Sequence, residues 1–179
     1  MKIYPQTFPW KHWVIDDFIK QHDIVKLQAI AHQHIQEKNV KSHFIPEHLD
    51  KWGKQSLQTA IDQMPMIIKD LDHVSPRKHK KLYALGHLAV NPAGYSFQPH
   101  CDDEIKVWTF VTYIGPEKSV GTFLMSDNNE NDKVEIPWKL GRCLVFAGNN
   151  NETWHSYESG PNWRSTITAY LTTDPNWGK

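Results

Sequence analysis

A chain of 179 residues, 39% hydrophobic and 22% charged, is long enough for one domain with a substantial core and is globular rather than disordered in composition. Its 20 basic and 20 acidic residues balance, which argues against a protein built to ride on nucleic-acid phosphates or anionic membranes. No stretch approaches the roughly 20 apolar residues that span a bilayer, and the opening MKIYPQTFPWKHW lacks the apolar run of a secretory leader.

The first 75 residues or so read as helical support. A short strand-like piece at 11–15 precedes Asp16-Asp17, a pair suited to a turn and a helix cap. From Asp23 the positions Ile24, Leu27, Ile30, Ala31, His34 and Ile35 recur at helical spacing. A second helical set follows in Leu57, Ile61, Met64, Ile67, Ile68 and Leu71, with Pro65 expected to kink or restart it. From Leu82 the period changes to two. Strands are predicted at 82–90, 107–114, 121–125, 133–136, 142–146 and 163–172, separated by turn-forming clusters such as NPAG, IGPEK and SGPN. Asparagine-rich tracts at 128–131 and 149–151 read as loops. Short strands with frequent turns predict an antiparallel sandwich or barrel.

Two of these strands have no water-facing side. In 163–172 one face carries Arg164, Thr166, Thr168 and Tyr170, and the other Trp163, Ile167, Ala169 and Leu171. The apolar face suits packing beneath the N-terminal helices, and the polar face suits the lining of a wet cavity.

Eleven histidines make metal binding worth testing. His-x-Asp alone is weak, since on the order of one match is expected by chance at this histidine content. The chain has two. His48-Leu49-Asp50 lies in the helical half, where residues i and i+2 point about 200° apart, so it reads as ordinary surface. His100-Cys101-Asp102 lies in FQPHCDDEIKVWTF, where extended backbone projects i and i+2 to one side. Cys101 would point the other way, as a packed thiol. With only Cys101 and Cys143, no disulfide framework is available, which suits a reducing cytoplasm. His155, in TWHSYESG before the last strand, supplies a third ligand. Two histidines and a carboxylate on one face of iron leave three positions open. Nine residues on, Arg164 would be costly to bury unpaired, and a dicarboxylate that chelates the metal at one end and meets the guanidinium at the other resolves that cost. 2-Oxoglutarate fits this description.

GYSFQPHCD, KVWTFVTYI, GTFL, VEIPWKLGRCLVF, the WHS of His155 and the following Arg164 run in an order that resembles the Fe(II)/2-oxoglutarate-dependent dioxygenases, in particular their prolyl-hydroxylase-like branch. WVIDDFI resembles the opening strand of such enzymes, so the resemblance covers nearly the whole chain. It implies a mainly β (α+β) fold, a double-stranded β-helix of jelly-roll or cupin-like form backed by N-terminal helices, as a single domain over 1–179: strand and helices in 1–75, barrel core in 82–175. It implies His100, Asp102 and His155 as iron ligands and catalytic centre, Arg164 as partner of the distal 2-oxoglutarate carboxylate, and Tyr113 and Thr166 as further cofactor contacts, with Thr168 on the same face. Asp103 and Glu104 are expected to be solvated. The chemistry implied is oxidative decarboxylation of 2-oxoglutarate with O2 to succinate and CO2, coupled to hydroxylation, with ascorbate as supporting reductant.

Two departures from the branch concern the substrate. Arginine stands where procollagen-type hydroxylases commonly have lysine, and Val90 lies near where oxygen-sensing hydroxylases place a second cosubstrate tyrosine. The substrate expected is a small molecule or peptide, with proline or another amino acid leading. Nucleic-acid demethylases of the superfamily carry a second arginine six residues after the first, and here that position is Tyr170. A cupin-like metal-binding sensor or scaffold without 2-oxoglutarate turnover is the alternative, and Arg164 discriminates against it. Trp154 and Trp163 are candidate substrate contacts, the run 77–81 reads as a solvated connection, the loop 126–133 as a mobile cover, and His32, His34 and His87 as structural.

Overall fold

The computed structural model describes residues 1–38, 43–44, 49–71, 81–129, 131–148 and 151–176. In chain order the elements are β1 (Lys2–Gln6), β2 (His12–Asp16), α1 (Gln21–Lys38), β3 (His43–Phe44), α2 (Lys51–Leu71), β4 (Tyr83–Asn91), β5 (Ser96–His100), β6 (Lys106–Gly115), β7 (Thr122–Met125), β8 (Val134–Ile136), β9 (Cys143–Ala147), β10 (Trp154–Glu158) and β11 (Arg164–Thr172). The strands form two antiparallel sheets. The larger runs β1-β2-β9-β6-β11-β4-β3, and the smaller runs β5-β10-β7-β8.

Both helices follow their apolar stripes. Ile24, Leu27 and Ala31 of α1, and Leu57, Ile61, Met64 and Ile68 of α2, are buried against one face of the larger sheet. Asp50 caps α2, its Oδ1 accepting the Gly53 amide at 2.7 Å. Of the His48-Leu49-Asp50 motif, His48 lies outside the described residues. The helix does not restart at Pro65. Pro65 sits on the exposed side of α2, and Met64, Ile67 and Ile68 around it stay in the core, so packing outweighs one missing backbone hydrogen bond. Gly86, midway along β4, brings α2 close: a Cβ there would stand 3.0 Å from Ile61 Cδ1.

The Asp16-Asp17 pair does not cap a helix. Asp16 ends β2 and pairs with Arg142 Nε at 2.7 Å and Lys139 Nζ at 2.8 Å, a tie over more than 120 residues of chain. Hydrogen bonding from Arg142 leads in holding its carboxyl down at about 2. Asp17 takes a positive φ of 57° at the turn, a conformation that aspartate tolerates better than most residues.

The two faces of β11 behave as their alternation predicts. Ile167, Ala169 and Leu171 join the helix-side core with Trp108 and Phe110 of β6. The opposite face looks towards the smaller sheet, and a second, smaller core between the sheets contains Tyr113, Leu124, Ile136, Leu144 and Phe146. Trp10 ties the N-terminal segment to the smaller sheet, its indole N–H reaching the carbonyls of Met125 at 3.1 Å and Trp154 at 3.3 Å.

Strands β1, β3, β5 and β10 were not among the predicted set. β5 and β10 are short, and their polar and aromatic residues carry no apolar alternation. Cys143 is fully buried, while Cys101 is only partly so and both thiols are free. No described helix is long and apolar enough to cross a membrane. Of the run 77–81 only Lys81 lies within the described residues, as do all of 126–133 but residue 130.

Candidate metal and anion site

β5 and β10 are neighbours in the smaller sheet, and their register sets His100 directly opposite His155. Such cross-strand pairs bring side chains together, and here the ring centroids are 4.2 Å apart. Asp102 follows two residues after His100, and one ligand atom from each of the three residues lies within 4.8 Å of the others. The two imidazoles are held in the right tautomer. His100 Nδ1 meets the Gln98 carbonyl at 3.0 Å, and His155 Nδ1 meets the Thr153 carbonyl at 2.9 Å. A carbonyl only accepts, so each Nδ1 donates its hydrogen there and each Nε2 is the nitrogen left to face a cation. Burial, with His155 beside it, pushes His100 down to about 4, which keeps the imidazole neutral and able to ligate.

Asp102 is buried. Lys106 Nζ donates to its Oδ1 at 2.6 Å, and Thr109 Oγ1 donates to its Oδ2 at 2.5 Å. Burial opposes its charge, but His155, Lys106 and these two hydrogen bonds outweigh that and hold the carboxyl below its usual range. An anionic oxygen donor beside two imidazole nitrogens suits a borderline divalent metal such as Fe(II).

The triad lines a cavity of about 430 Å3 between the two sheets. Arg164 lines it too, only 1% exposed. Its Nη2 donates to Thr122 Oγ1 at 3.1 Å, its Nε is buried without a partner, and burial works against its charge. Among the described residues no carboxylate pairs with it. The guanidinium instead packs 4.3 Å from the ring centroid of Tyr157, with Trp138 at 5.6 Å and Tyr113 at 5.7 Å. A buried cation with an orphan donor facing a hollow is the complement of an anion.

Thr166 and Thr168 line the same wall as predicted, their hydroxyls 3.2 Å apart. Tyr113 stands elsewhere. It shares the strand face of Thr109 and Val111 but does not line the cavity, because Trp138 stacks on its ring at 4.5 Å. Its hydroxyl donates to the Ile136 carbonyl at 3.2 Å and accepts the Thr122 amide at 2.9 Å. It therefore ties β6 to β7 and β8. Tyr113→Phe is expected to cost about 1–3 kcal/mol by stranding those two backbone groups, while anion affinity at Arg164 stays within threefold; thermal unfolding and equilibrium binding check the two halves separately.

Several lining residues escaped the sequence reading. Tyr157 lies two residues after His155 on β10, so strand alternation alone would have found it. Burial pushes its hydroxyl up to about 12, which makes it a neutral donor. Lys106 and Thr109 hold Asp102, and His87, expected to be merely structural, also lines the cavity. Burial lowers His87 to about 4, so it too is neutral. Val90 faces the helix-side core, and its neighbour Ala89 faces the cavity instead. Neither tryptophan candidate lines it: Trp163 stacks on His32 at 6.1 Å, and Trp154 offers its carbonyl to Trp10.

No protein-family model and no curated protein matches the chain. Solved structures do. A Pseudomonas putida prolyl-4-hydroxylase is similar over 90% of this chain and 91% of its own, at a TM-score of 0.64 and 16% identity. A prolyl hydroxylase from Trichoplax adhaerens, solved with a hypoxia-inducible-factor oxygen-degradation-domain peptide, is similar over 89% of this chain and 82% of its own, at 0.65 and 16%. A viral collagen prolyl hydroxylase from Paramecium bursaria Chlorella virus-1, in its 2-oxoglutarate complex, is similar over 89% and 94%, at 0.59 and 11%. At 11% to 16% identity, what this chain shares with these three prolyl hydroxylases is their fold, along nearly its whole length.

Proposed function

We propose that this protein is a non-haem Fe(II)/2-oxoglutarate-dependent dioxygenase of the prolyl-hydroxylase-like branch, a single catalytic domain whose two sheets form a double-stranded β-helix. One observation carries the reading: a His/Asp/His cluster and a buried, carboxylate-free arginine line the same cavity. The residues fit both groups. His100, Asp102 and His155 would hold the metal through two imidazole nitrogens and one carboxylate oxygen. Arg164, with Thr122 beside it and Thr166 along the wall, would hold the distal carboxylate of 2-oxoglutarate.

When bound, the iron supplies oxidative decarboxylation of 2-oxoglutarate with O2 and hydroxylation of the substrate, with ascorbate as supporting reductant. The protein's own part is placement. The carbonyls of Gln98 and Thr153 fix which ring nitrogen faces the metal, and Thr109 orients Asp102. Arg164 anchors the far end of the keto-diacid so that its other end meets the triad. The substrate class we favour is an amino acid, free or within a peptide, with proline first; the peptide-bound neighbour supports a substrate of that size. Two free thiols suit a reducing cytoplasm.

The test is succinate formation from 2-oxoglutarate with Fe(II) and ascorbate, with and without candidate substrates. Turnover above the iron-only background is expected even when uncoupled. A protein that binds Fe(II) tightly but neither binds nor consumes 2-oxoglutarate is a cupin-like metal-binding scaffold instead.

A further inference from the structure

Arg164 is held by rings rather than by an opposite charge. Strand β10 lies between β5 and β7, and its Tyr157 pairs with Phe97 on one side and Thr122 on the other. Arg164 Nη2 donates to Thr122 Oγ1, which sets the guanidinium on the β7 side of the tyrosine, 4.3 Å from the ring centroid. On the β5 side the Phe97 ring stacks on Tyr157 at 5.4 Å and an angle of 5°. Tyr157 is thus the middle layer of a stack made of a phenyl ring, a phenol and a guanidinium. A bulge makes the stack possible, because the register slips between His155 and Tyr157, whose partners are His100 and Phe97. The slip turns Phe97 to the side of His100, and both line the cavity.

Exposure falls along this stack, from 40% at Phe97, through the partly buried Tyr157, to 1% at Arg164. The tyrosine therefore shields the cation from water while offering it a π face. Such a contact is strongest where it is desolvated, and a shielded guanidinium attracts a carboxylate more strongly because the local dielectric is low. The Tyr157 hydroxyl is engaged elsewhere, with Asn91 and Tyr95, and Asn91 stands opposite Arg164 in the β4–β11 register. Those hydrogen bonds pin the plane of the ring, and the ring in turn pins the guanidinium. A fork held in one orientation loses less freedom when an acid docks on it.

We propose that Tyr157 is a positioning residue of the anion site: its ring, backed by Phe97, sets how tightly Arg164 grips the distal carboxylate of a 2-oxo diacid, and its hydroxyl does not. The inference rests on the iron and 2-oxoglutarate reading above and adds to it a residue that tunes affinity at the far end of the cosubstrate. A 2-oxo acid without a distal carboxylate gains nothing from the stack.

The experiment uses the intact protein loaded with Mn(II) and titrates it with 2-oxoglutarate and with 2-oxopentanoate, a monoacid of the same chain length that lacks the distal carboxylate. Equilibrium binding is the readout, so no turnover is needed. In Tyr157→Leu the affinity for 2-oxoglutarate is expected to fall about tenfold or more, while 2-oxopentanoate and Mn(II) bind within twofold of the unaltered protein. Tyr157→Phe keeps the ring and is expected to hold 2-oxoglutarate within about threefold. Phe97→Leu, at a position open to solvent, is expected to weaken 2-oxoglutarate about threefold and 2-oxopentanoate not at all. The proposal is overturned if Tyr157→Leu keeps 2-oxoglutarate within twofold, or if it weakens both acids or Mn(II) together, which would make the tyrosine a merely structural residue. A loss in Tyr157→Phe as large as in Tyr157→Leu also overturns it, because the hydroxyl would then be the active group. If Tyr157→Leu does not fold, the other two variants decide: a tenfold loss in Tyr157→Phe, or an unchanged diacid affinity in Phe97→Leu, overturns the proposal. Failure of the unaltered protein to bind Mn(II), or to prefer the diacid over the monoacid, is a different result and removes the dioxygenase reading together with this one.

Discussion

Asp102→Ala is expected to weaken Fe(II) and Mn(II) binding by on the order of 100-fold or more and to abolish 2-oxoglutarate turnover. Removing a side chain that only orients a ligating group commonly costs 10–100-fold in metal affinity, and Asp102 is proposed as a ligand itself, the one anionic donor of the cluster. The variant also strands Lys106 and Thr109, which both donate to that carboxylate. A loss of about 3–5 kcal/mol in stability is expected from breaking so buried a pair. Asp102→Asn separates the two effects, because it keeps the shape and an acceptor for Thr109 while giving up the charge. Metal affinity measured anaerobically, beside thermal unfolding of the metal-free protein, distinguishes a lost ligand from a lost fold. A folded Asp102→Ala that held Fe(II) within threefold of the unaltered protein would remove the triad.

The second large effect has the opposite sign in the ligand-free protein. Arg164→Met should be at least as stable as the unaltered chain without ligand, because it replaces a buried guanidinium with an orphan Nε by an apolar side chain of similar length. With Mn(II) present, its affinity for 2-oxoglutarate should fall at least 100-fold, since the distal carboxylate would meet no cation in a poorly solvated pocket. A ligand at 100 times its dissociation constant adds about 2.7 kcal/mol to stability, so 2-oxoglutarate should raise the melting temperature of the unaltered protein and leave that of Arg164→Met unmoved. Equal ligand-induced shifts in the two proteins would show that Arg164 is a packing residue and that the anion lies elsewhere.

Much of this could be read from the sequence because strand geometry is local. Alternation along β11 put Arg164, Thr166 and Thr168 on one side and Ile167, Ala169 and Leu171 on the other, and the cavity and the helix-side core divide along that line. His100 and Asp102 share a side for the same reason. Tyr157 obeys the same rule from His155 and was missed only because β10 lacks the apolar signal of a strand. Pro65 shows the limit of a local rule: of the kink or restart it allowed, the restart does not happen where buried neighbours hold one continuous helix.

Other features depended on which strands meet. Tyr113 has the right alternation to face the cavity, yet β8 and Trp138 close over it. Asp16 looked like a helix cap until Arg142 and Lys139 claimed it across the sheet. The sequence by itself determined the residue types and the side of each strand on which they lie, since a two-residue period follows from backbone geometry within a few bonds. Only the tertiary structure decided that His155 stands opposite His100, and which tyrosine borders the hollow, because register and sheet closure are set by burial summed over strands far apart in the chain.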